Sequence, residues 1–194
     1  MARTSRTRFA VLGSLTLGDR SGYDLKQEIE RRMGAFWAES IGQIYPTLKQ
    51  LELGGLVEEV APSDEAKRSR RVYRITDAGL AELKDWLRAP PQPEQVRNEI
   101  LLKLYFGPHM GAETALGHVA RFEAYQRALL ELFEQFKPEL VAAADSEEQR
   151  LFWEITLSSG LHIADARIAW CEETRRRLLE WQQAQGRDPD TAGD

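Results

Sequence analysis

Two stretches of the chain carry polar side chains whose types suit contact with a nucleic acid. Between Ser40 and Leu53, the apolar residues Ile44, Leu48 and Leu51 recur at helical spacing and leave Gln43, Tyr45, Thr47, Lys49 and Gln50 on the other side. Side-chain amides pair with adenine edges, a threonine methyl touches thymine, and tyrosine or lysine reaches phosphate or base edges. Further on, Lys67, Arg68, Arg70 and Arg71 concentrate positive charge at the end of a polar segment that starts at Pro62. Such a basic tip can reach phosphates or an adjacent minor groove. Asp64 and Glu65 in the same segment would repel phosphate locally. A polar helix face is more often simply solvated, so the reading depends on the elements around it.

Residues suited to catalysis or metal binding are not grouped. His109, His118 and His162 have no metal-ligand spacing with one another or with Cys171, and the nearest pair is nine residues apart. Neither a nucleophile paired with histidine nor a phosphate-binding glycine loop is recognisable. The chain is expected to be no enzyme and to use no cofactor. Cys171, the single cysteine, excludes an intrachain disulfide, fits a reducing cytoplasm, and reads as a small buried hydrophobe.

The elements that would position the first set are legible in order. Phe9, Leu12 and Leu15 mark a helix from about Thr4 to Leu17, and Gly18-Asp19-Arg20 a turn. Ser21 with Asp24 fits a helix-starting cap before the apolar row Leu25, Ile29 and Met33, with Gly34 as the stop. The third helix ends at Gly54-Gly55. Pro46 leaves its start open: regular helix begins near Gly42, or Ser40 and Gln43 form a capping box and the helix is kinked. The period then shortens. Leu56–Val60 and Arg71–Ile75 read as two strands of a hairpin, its tip formed by the basic loop, with Arg71 and Arg74 alternating with Val72 and Tyr73. Thr76 caps a fourth helix bearing Leu80, Leu83, Trp86 and Leu87, and the segment Ala89-Pro90-Pro91-Gln92-Pro93 ends it.

The expected fold is therefore mainly α with a small β-hairpin. A winged helix-turn-helix occupies residues 1–89, a multi-helix dimerisation domain residues 90–185, and a disordered tail residues 186–194. In the second domain Asn98–Phe106 is short and apolar, and Gly107-Pro108 breaks it. From Gly111 to Lys137, Val119, Phe122, Leu129, Phe133 and Phe136 keep helical spacing, with Gln126 filling one core position and Pro138 interrupting. A last helix spans Glu147 to Gln185, with Trp153, Leu157, Gly160, Ala164, Cys171, Leu178 and Trp181 in one row. Ile155 and Ile168 give it a second apolar face, and Gly160 with Ala164 would admit another helix closely. Covering both faces calls for a second copy, through Leu102, Phe122, Leu129, Phe133, Trp153, Leu157, Gly160 and Ala164. Trp153, Trp170 and Trp181 read as dimer core in preference to an effector pocket.

Charge supports this division. The chain carries a net charge of −5, yet residues 1–76 hold 13 Lys and Arg against 10 Asp and Glu, a balance of +3. Residues 77–194 hold 13 against 21, a balance of −8. No apolar run reaches membrane-spanning length, and the basic N-terminus lacks the apolar core of a secretion signal, so a cytoplasmic protein with no membrane partner is expected.

With the motifs Ala10-Val-Leu-Gly-Ser-Leu, Ser21-Gly-Tyr-Asp-Leu, Gly42-Gln-Ile-Tyr-Pro-Thr-Leu, Leu51-Glu-Leu-Gly-Gly-Leu-Val, Tyr73-Arg-Ile-Thr-Asp-Ala-Gly and Glu99-Ile-Leu-Leu-Lys-Leu-Tyr-Phe in this order, the chain resembles the PadR family of bacterial transcriptional regulators over roughly residues 7–185. The longer second half resembles the subgroup with a multi-helix dimerisation domain. The resemblance implies a homodimer on a pseudo-palindromic operator of double-stranded DNA, usually repressing a nearby gene and often responding to a small-molecule effector. By position it implies Tyr23 and Lys26 near the DNA backbone. It places Gln43, Tyr45 and Lys49 at the groove, and Lys67, Arg68 and Arg70 in the wing; Ser40, Thr47 and Arg71 are further candidate DNA contacts. The competing reading is a winged-helix module that contacts proteins and has no specific DNA binding.

Overall fold

The computed structural model describes residues 6–33, 41–61, 70–93 and 97–185. The chain divides into two compact units, Met1–Pro93 and Glu94–Asp194. In the first, α1 (Thr7–Leu15), α2 (Gly22–Met33) and α3 (Ile41–Leu53) are followed by β2 (Val57–Val60), β3 (Val72–Ile75) and α4 (Asp77–Arg88). A two-residue strand β1 (Arg20–Ser21), where the sequence predicts a turn and a helix cap, makes the hairpin a three-stranded antiparallel sheet of order β1-β3-β2. Arg20 lies opposite Tyr73, and Val57 opposite Ile75. So short a strand has no alternation from which to read it.

The first core is built from the expected rows. Phe9, Leu12 and Leu15 of α1, Leu25 and Ile29 of α2, and Ile44, Leu48 and Leu51 of α3 close on Val57, Tyr73 and Leu83. Phe9 also stacks on Trp86 of α4, with ring centroids 4.5 Å apart, and Arg8 pairs with Glu82 beside it. Helix α1 is shorter than expected because its packed residues end at Leu15. The cap of α2 is reciprocal: Ser21 Oγ accepts from the Asp24 N–H at 3.2 Å, while the Ser21 N–H donates to Asp24 Oδ2 at 3.3 Å. Near the far end of α2, buried Glu28 gathers Arg20, Arg31 and Arg32.

Helix α3 runs through Pro46. Gly42, whose carbonyl would have received the missing N–H, and Pro46 are both exposed, so that carbonyl is left at the solvated start of the helix. Ser40, the expected cap, lies outside the described residues. The C-terminus closes as foreseen at Gly54-Gly55. The Leu56 N–H donates to Leu51 O at 2.9 Å and the Gly55 N–H to Glu52 O at 3.0 Å, with Gly55 at φ +68°. Thr76 Oγ1 accepts from the Gly79 N–H at 3.1 Å and donates to Gly55 O at 2.8 Å, tying α4 to the same turn.

The second unit consists of α5 (Glu99–Tyr105), a 3-10 turn at Gly107–His109, α6 (Ala112–Ala142) and α7 (Glu147–Gln185). Pro138 does not interrupt α6, contrary to expectation; it and Glu134, the residue one turn before it, are both exposed, so the carbonyl that loses its helical donor is open to solvent. Ile100, Val119 and Cys171 form the buried centre, with Leu104, Phe122, Trp170 and Leu178 around it. Buried Glu123 on α6 receives Arg127 at 2.7 Å and Arg175 of α7 at 3.1 Å, and Arg127 also reaches Glu172 at 2.7 Å. These pairs clamp α6 against α7 at one level along their length. Residues 186–194, expected to be a tail, lie outside the described residues.

Candidate nucleic-acid interface

Burial of Ile44, Leu48 and Leu51 fixes the rotation of α3 and turns Gln43, Tyr45, Lys49 and Gln50 outward, with Thr47 half-buried. Lys49 has no carboxylate partner among the described residues. Tyr45 is 51% exposed, and its ring lies across the first turn of α2. A Cβ on Gly22 would stand 2.7 Å from Tyr45 Cε1, so only glycine leaves room for the ring there. The sequence reading had not singled out Gly22. It falls inside the motif Ser21-Gly-Tyr-Asp-Leu, but the need for it arises from a residue 23 positions away.

Tyr23 is 42% exposed, and Gln27 Nε2 donates to its hydroxyl at 2.9 Å. The Arg70 guanidinium lies over the Tyr23 ring, 4.8 Å from its centroid. Tyr23, Tyr45, Lys49 and Arg70 thus border one open cleft of about 710 Å³, together with Tyr73 and Arg71. Burial pushes the Tyr73 phenol above its usual range.

Arg71 has a different setting from Arg70. Its Nε donates to Glu59 Oε2 at 2.6 Å and its Nη2 to Glu52 Oε1 at 2.7 Å. The hydrogen bond it donates to Glu59 raises the guanidinium further above its ordinary value. Two carboxylates therefore already meet the charge of Arg71. Arg74 is held in the same way, by both carboxylate oxygens of Asp19 at 3.0 and 2.6 Å. Lys26 pairs with Glu30 at 3.2 Å. Lys67 and Arg68 lie outside the described residues.

In the second unit the residues expected at a dimer contact fall into different settings. Leu102 is 60% exposed. Ala164, at 2%, is buried within its own chain, and the close approach that Gly160 permits is made by Phe133 of the same chain. Phe122 meets Trp170 edge to face at 6.1 Å, and Leu129, Trp153 and Leu157 are half-buried. Of the second apolar face, Ile168 is buried and Ile155 exposed. Apolar side chains left on the surface include Leu101, Tyr105 and Phe106 around the end of α5, and Leu151, Phe152 and Ile163 on α7. No helix among the described residues is long and apolar enough to cross a membrane.

Two family models match, the transcriptional regulator PadR-like family over residues 11–85 and the virulence activator alpha C-terminal domain over residues 96–178. The negative transcriptional regulator PadR of Bacillus subtilis is 40% identical over 100 residues, an alignment that spans 51% of this chain and 55% of that protein. The crystal structure of Bacillus subtilis PadR in complex with operator DNA superposes with a TM-score of 0.77 at 29% identity, covering 90% of this chain and 98% of that one. The same regulator in complex with p-coumaric acid gives a TM-score of 0.71 at 28% identity, covering 88% and 97%. One model thus falls on each unit and the fold of a PadR regulator is shared over nine-tenths of the length: residues 11–85 belong to the PadR-like family of transcriptional regulators.

Proposed function

We propose that this chain is a sequence-specific DNA-binding repressor that sits as a homodimer on a pseudo-palindromic operator in the cytoplasm and is released by a small-molecule effector. It carries out no chemical reaction. The observation that carries this reading is the outward face of α3: Gln43 is exposed there, and Lys49, with no carboxylate partner among the described residues, borders a cleft with Tyr23, Tyr45 and Arg70, on a fold that a relative uses to hold operator DNA. Gln43, Tyr45, Thr47 and Lys49 would meet the major groove, with Ser40 at the start of the helix. Tyr23, Lys26 and Arg70 would meet phosphates, with Lys67 and Arg68 extending the wing. Arg71, held by Glu52 and Glu59, would brace the wing. Leu102 and the neighbouring exposed apolar residues of α5 and α7 would meet the second copy. A relative's complex with p-coumaric acid supports the effector.

The test is titration of the full chain onto DNA from upstream of its own gene, followed by fluorescence anisotropy at several salt concentrations beside a scrambled duplex. The expected result is tight, sequence-selective binding by a dimer, falling steeply with salt. Weak binding to both duplexes with little salt dependence, repeated across genomic fragments, would leave the protein-contact module as the surviving reading.

A further inference from the structure

The cleft between α2, α3 and the wing holds a residue whose charge opposes the use proposed for it. Glu52 is the single carboxylate among the described residues that line this cleft, beside Lys49, Arg70 and Arg71. It follows Lys49 by three residues on α3, so the two share a side of the helix. It also falls in the last turn of α3, where the helix dipole disfavours a carboxylate. Phosphate and helix dipole therefore both count against a glutamate at this position. What it meets is Arg71, whose Nη2 donates to Glu52 Oε1 at 2.7 Å. Glu59, opposite Tyr73 in the sheet and diagonal to Arg71, accepts from the Arg71 Nε–H at 2.6 Å. The same guanidinium lies over the Tyr73 ring, 5.4 Å from its centroid.

One cation tethered by two carboxylates carries a net charge of −1, so the group repels phosphate as a unit. Bracing the wing is a weak reason for such a group. The Arg71 and Glu59 side chains are 57% and 44% exposed, and ion pairs this open to water add little stability. Control of DNA binding is a stronger reason. A free arginine beside such a cleft binds any duplex, because phosphates recur in every sequence. On an operator, base contacts fix the pose, and a cation gains only where a phosphate stands within its reach. On other DNA the protein settles wherever most of its cations are satisfied. An added free cation therefore favours the wrong DNA over the right one. We propose that Glu52 is a specificity-determining residue: with Glu59 it withholds Arg71 from phosphate and so holds down sequence-independent DNA binding. The inference rests on the DNA-binding reading above. Arg74 supplies the contrast. It is held by Asp19, but alternation into β3 puts it on the opposite face from Arg71, away from the cleft.

The full chain is compared with Glu52→Gln/Glu59→Gln by fluorescence anisotropy on operator and scrambled duplexes across a salt series. Glutamine keeps the shape and an acceptor oxygen and removes the charge. Arg71 would then be free in both copies of a dimer. The salt slope on the scrambled duplex should steepen by about 1.8, and affinity for it at low salt should rise roughly tenfold or more. Operator affinity should rise by roughly threefold or less, so that selectivity falls by roughly threefold or more. Glu52→Gln alone should move both readings in the same direction, and melting temperatures should stay at the parent value. In the Arg71→Ala background the same two substitutions should change the slope by less than about 0.3. Asp19→Asn, which frees Arg74 instead, should leave the slope unchanged. No gain on the scrambled duplex, an equal gain on both duplexes, or a gain that persists without Arg71 would overturn the inference. Steepening by Asp19→Asn would do so too, since any freed cation would then serve. Weaker binding to both duplexes with a lower melting temperature would make the group a brace for the wing and overturn it as well. An operator-selective parent whose variants gain nothing refutes the inference alone; a parent that binds neither duplex refutes the regulator along with it.

Discussion

Arg70 and Arg71 are adjacent in the chain and identical in type, yet alanine at each should act differently on DNA binding. Arg70 lies on the face of Tyr23, in the cleft beside Lys49, while Arg71 is engaged by Glu52 and Glu59. A cation that binds phosphate releases condensed counterions, which steepens the fall of affinity with salt by about 0.9 logarithmic units per phosphate on duplex DNA. A symmetric dimer loses two contacts per substitution, so Arg70→Ala should lower the slope by about 1.8. Raising salt fourfold, from about 50 to about 200 mM, would then cost the variant roughly twelvefold less affinity than it costs the parent. Arg71→Ala removes a charge already neutralised by two carboxylates, and its slope should stay within about 0.3 of the parent. The assay is fluorescence anisotropy on the operator at five or more salt concentrations, with circular dichroism to confirm folding. Equal loss of slope in both variants would refute the reasoning, because Arg71 would then have exchanged its carboxylates for phosphate on binding.

Three other substitutions or treatments test the geometry. Gly79→Ala would place a Cβ 2.1 Å from the carbonyl oxygen of Leu56, a backbone atom that no rotamer change can move, and should cost about 3 kcal/mol or more, enough to lower the melting temperature by over about 10 °C; a drop below about 5 °C would show that the α4 junction is looser than described. The atoms nearest a Cβ in Gly22→Ala belong to the exposed ring of Tyr45, so stability should change by less than about 1 kcal/mol, helix propensity partly offsetting the clash. Operator affinity should nevertheless fall as the ring is displaced, and unchanged affinity would remove Tyr45 from the interface. Burial raises the Cys171 thiol above its ordinary pKa, so the thiolate is scarce near neutrality and a thiol reagent should label it only once denaturant is added. The corresponding contribution to stability is present below the unfolded thiol's pKa and is lost as pH rises through the higher folded value; rapid labelling of the native protein at neutral pH would contradict the burial.

Much of the fold could be read because local signals and packing agree in it. The rows Phe9-Leu12-Leu15 and Ile44-Leu48-Leu51 are the ones buried, and the Ser21/Asp24, Thr76 and Gly54-Gly55 boundaries form the bonds their residue types suggest. The failures occur where a neighbour overrides the local signal. Strand β1 is too short to show a period and exists because β3 offers it an open edge. Pro138 reads as a break, yet it lies on an exposed stretch of α6 while the residues around it stay packed; Pro46, which leaves the start of its helix open, falls in the second turn of α3, whose start at Ile41 agrees with the reading that begins near Gly42. The row through Gly160 and Ala164 was rightly seen to admit a close neighbour. A periodic pattern cannot say from which chain that neighbour comes, and here Phe133 of the same chain fills the space at Gly160.

The polar and basic residue types of the candidate interface are visible in the sequence, but their charge state is not. A basic run announces that cations are present, but what they can do depends on which carboxylates fold back onto them. Arg71 meets Glu52 from α3 and Glu59 from β2, and Arg74 meets Asp19 from the turn before β1, so three separate segments decide which wing cations are spent within the protein. The same accounting applied to the helical unit inverts its apparent character. Its sequence is acidic, but Glu123, Glu147, Glu172, Glu173 and Glu180 are each met by an arginine of α6 or α7, and Arg97, Arg121 and Arg167 line one cleft with no carboxylate partner among the described residues. Net charge thus predicts neither site. What distinguishes Arg70 in one unit and this trio in the other is the absence of a carboxylate within reach among the described residues, a property that exists only once the chain has folded.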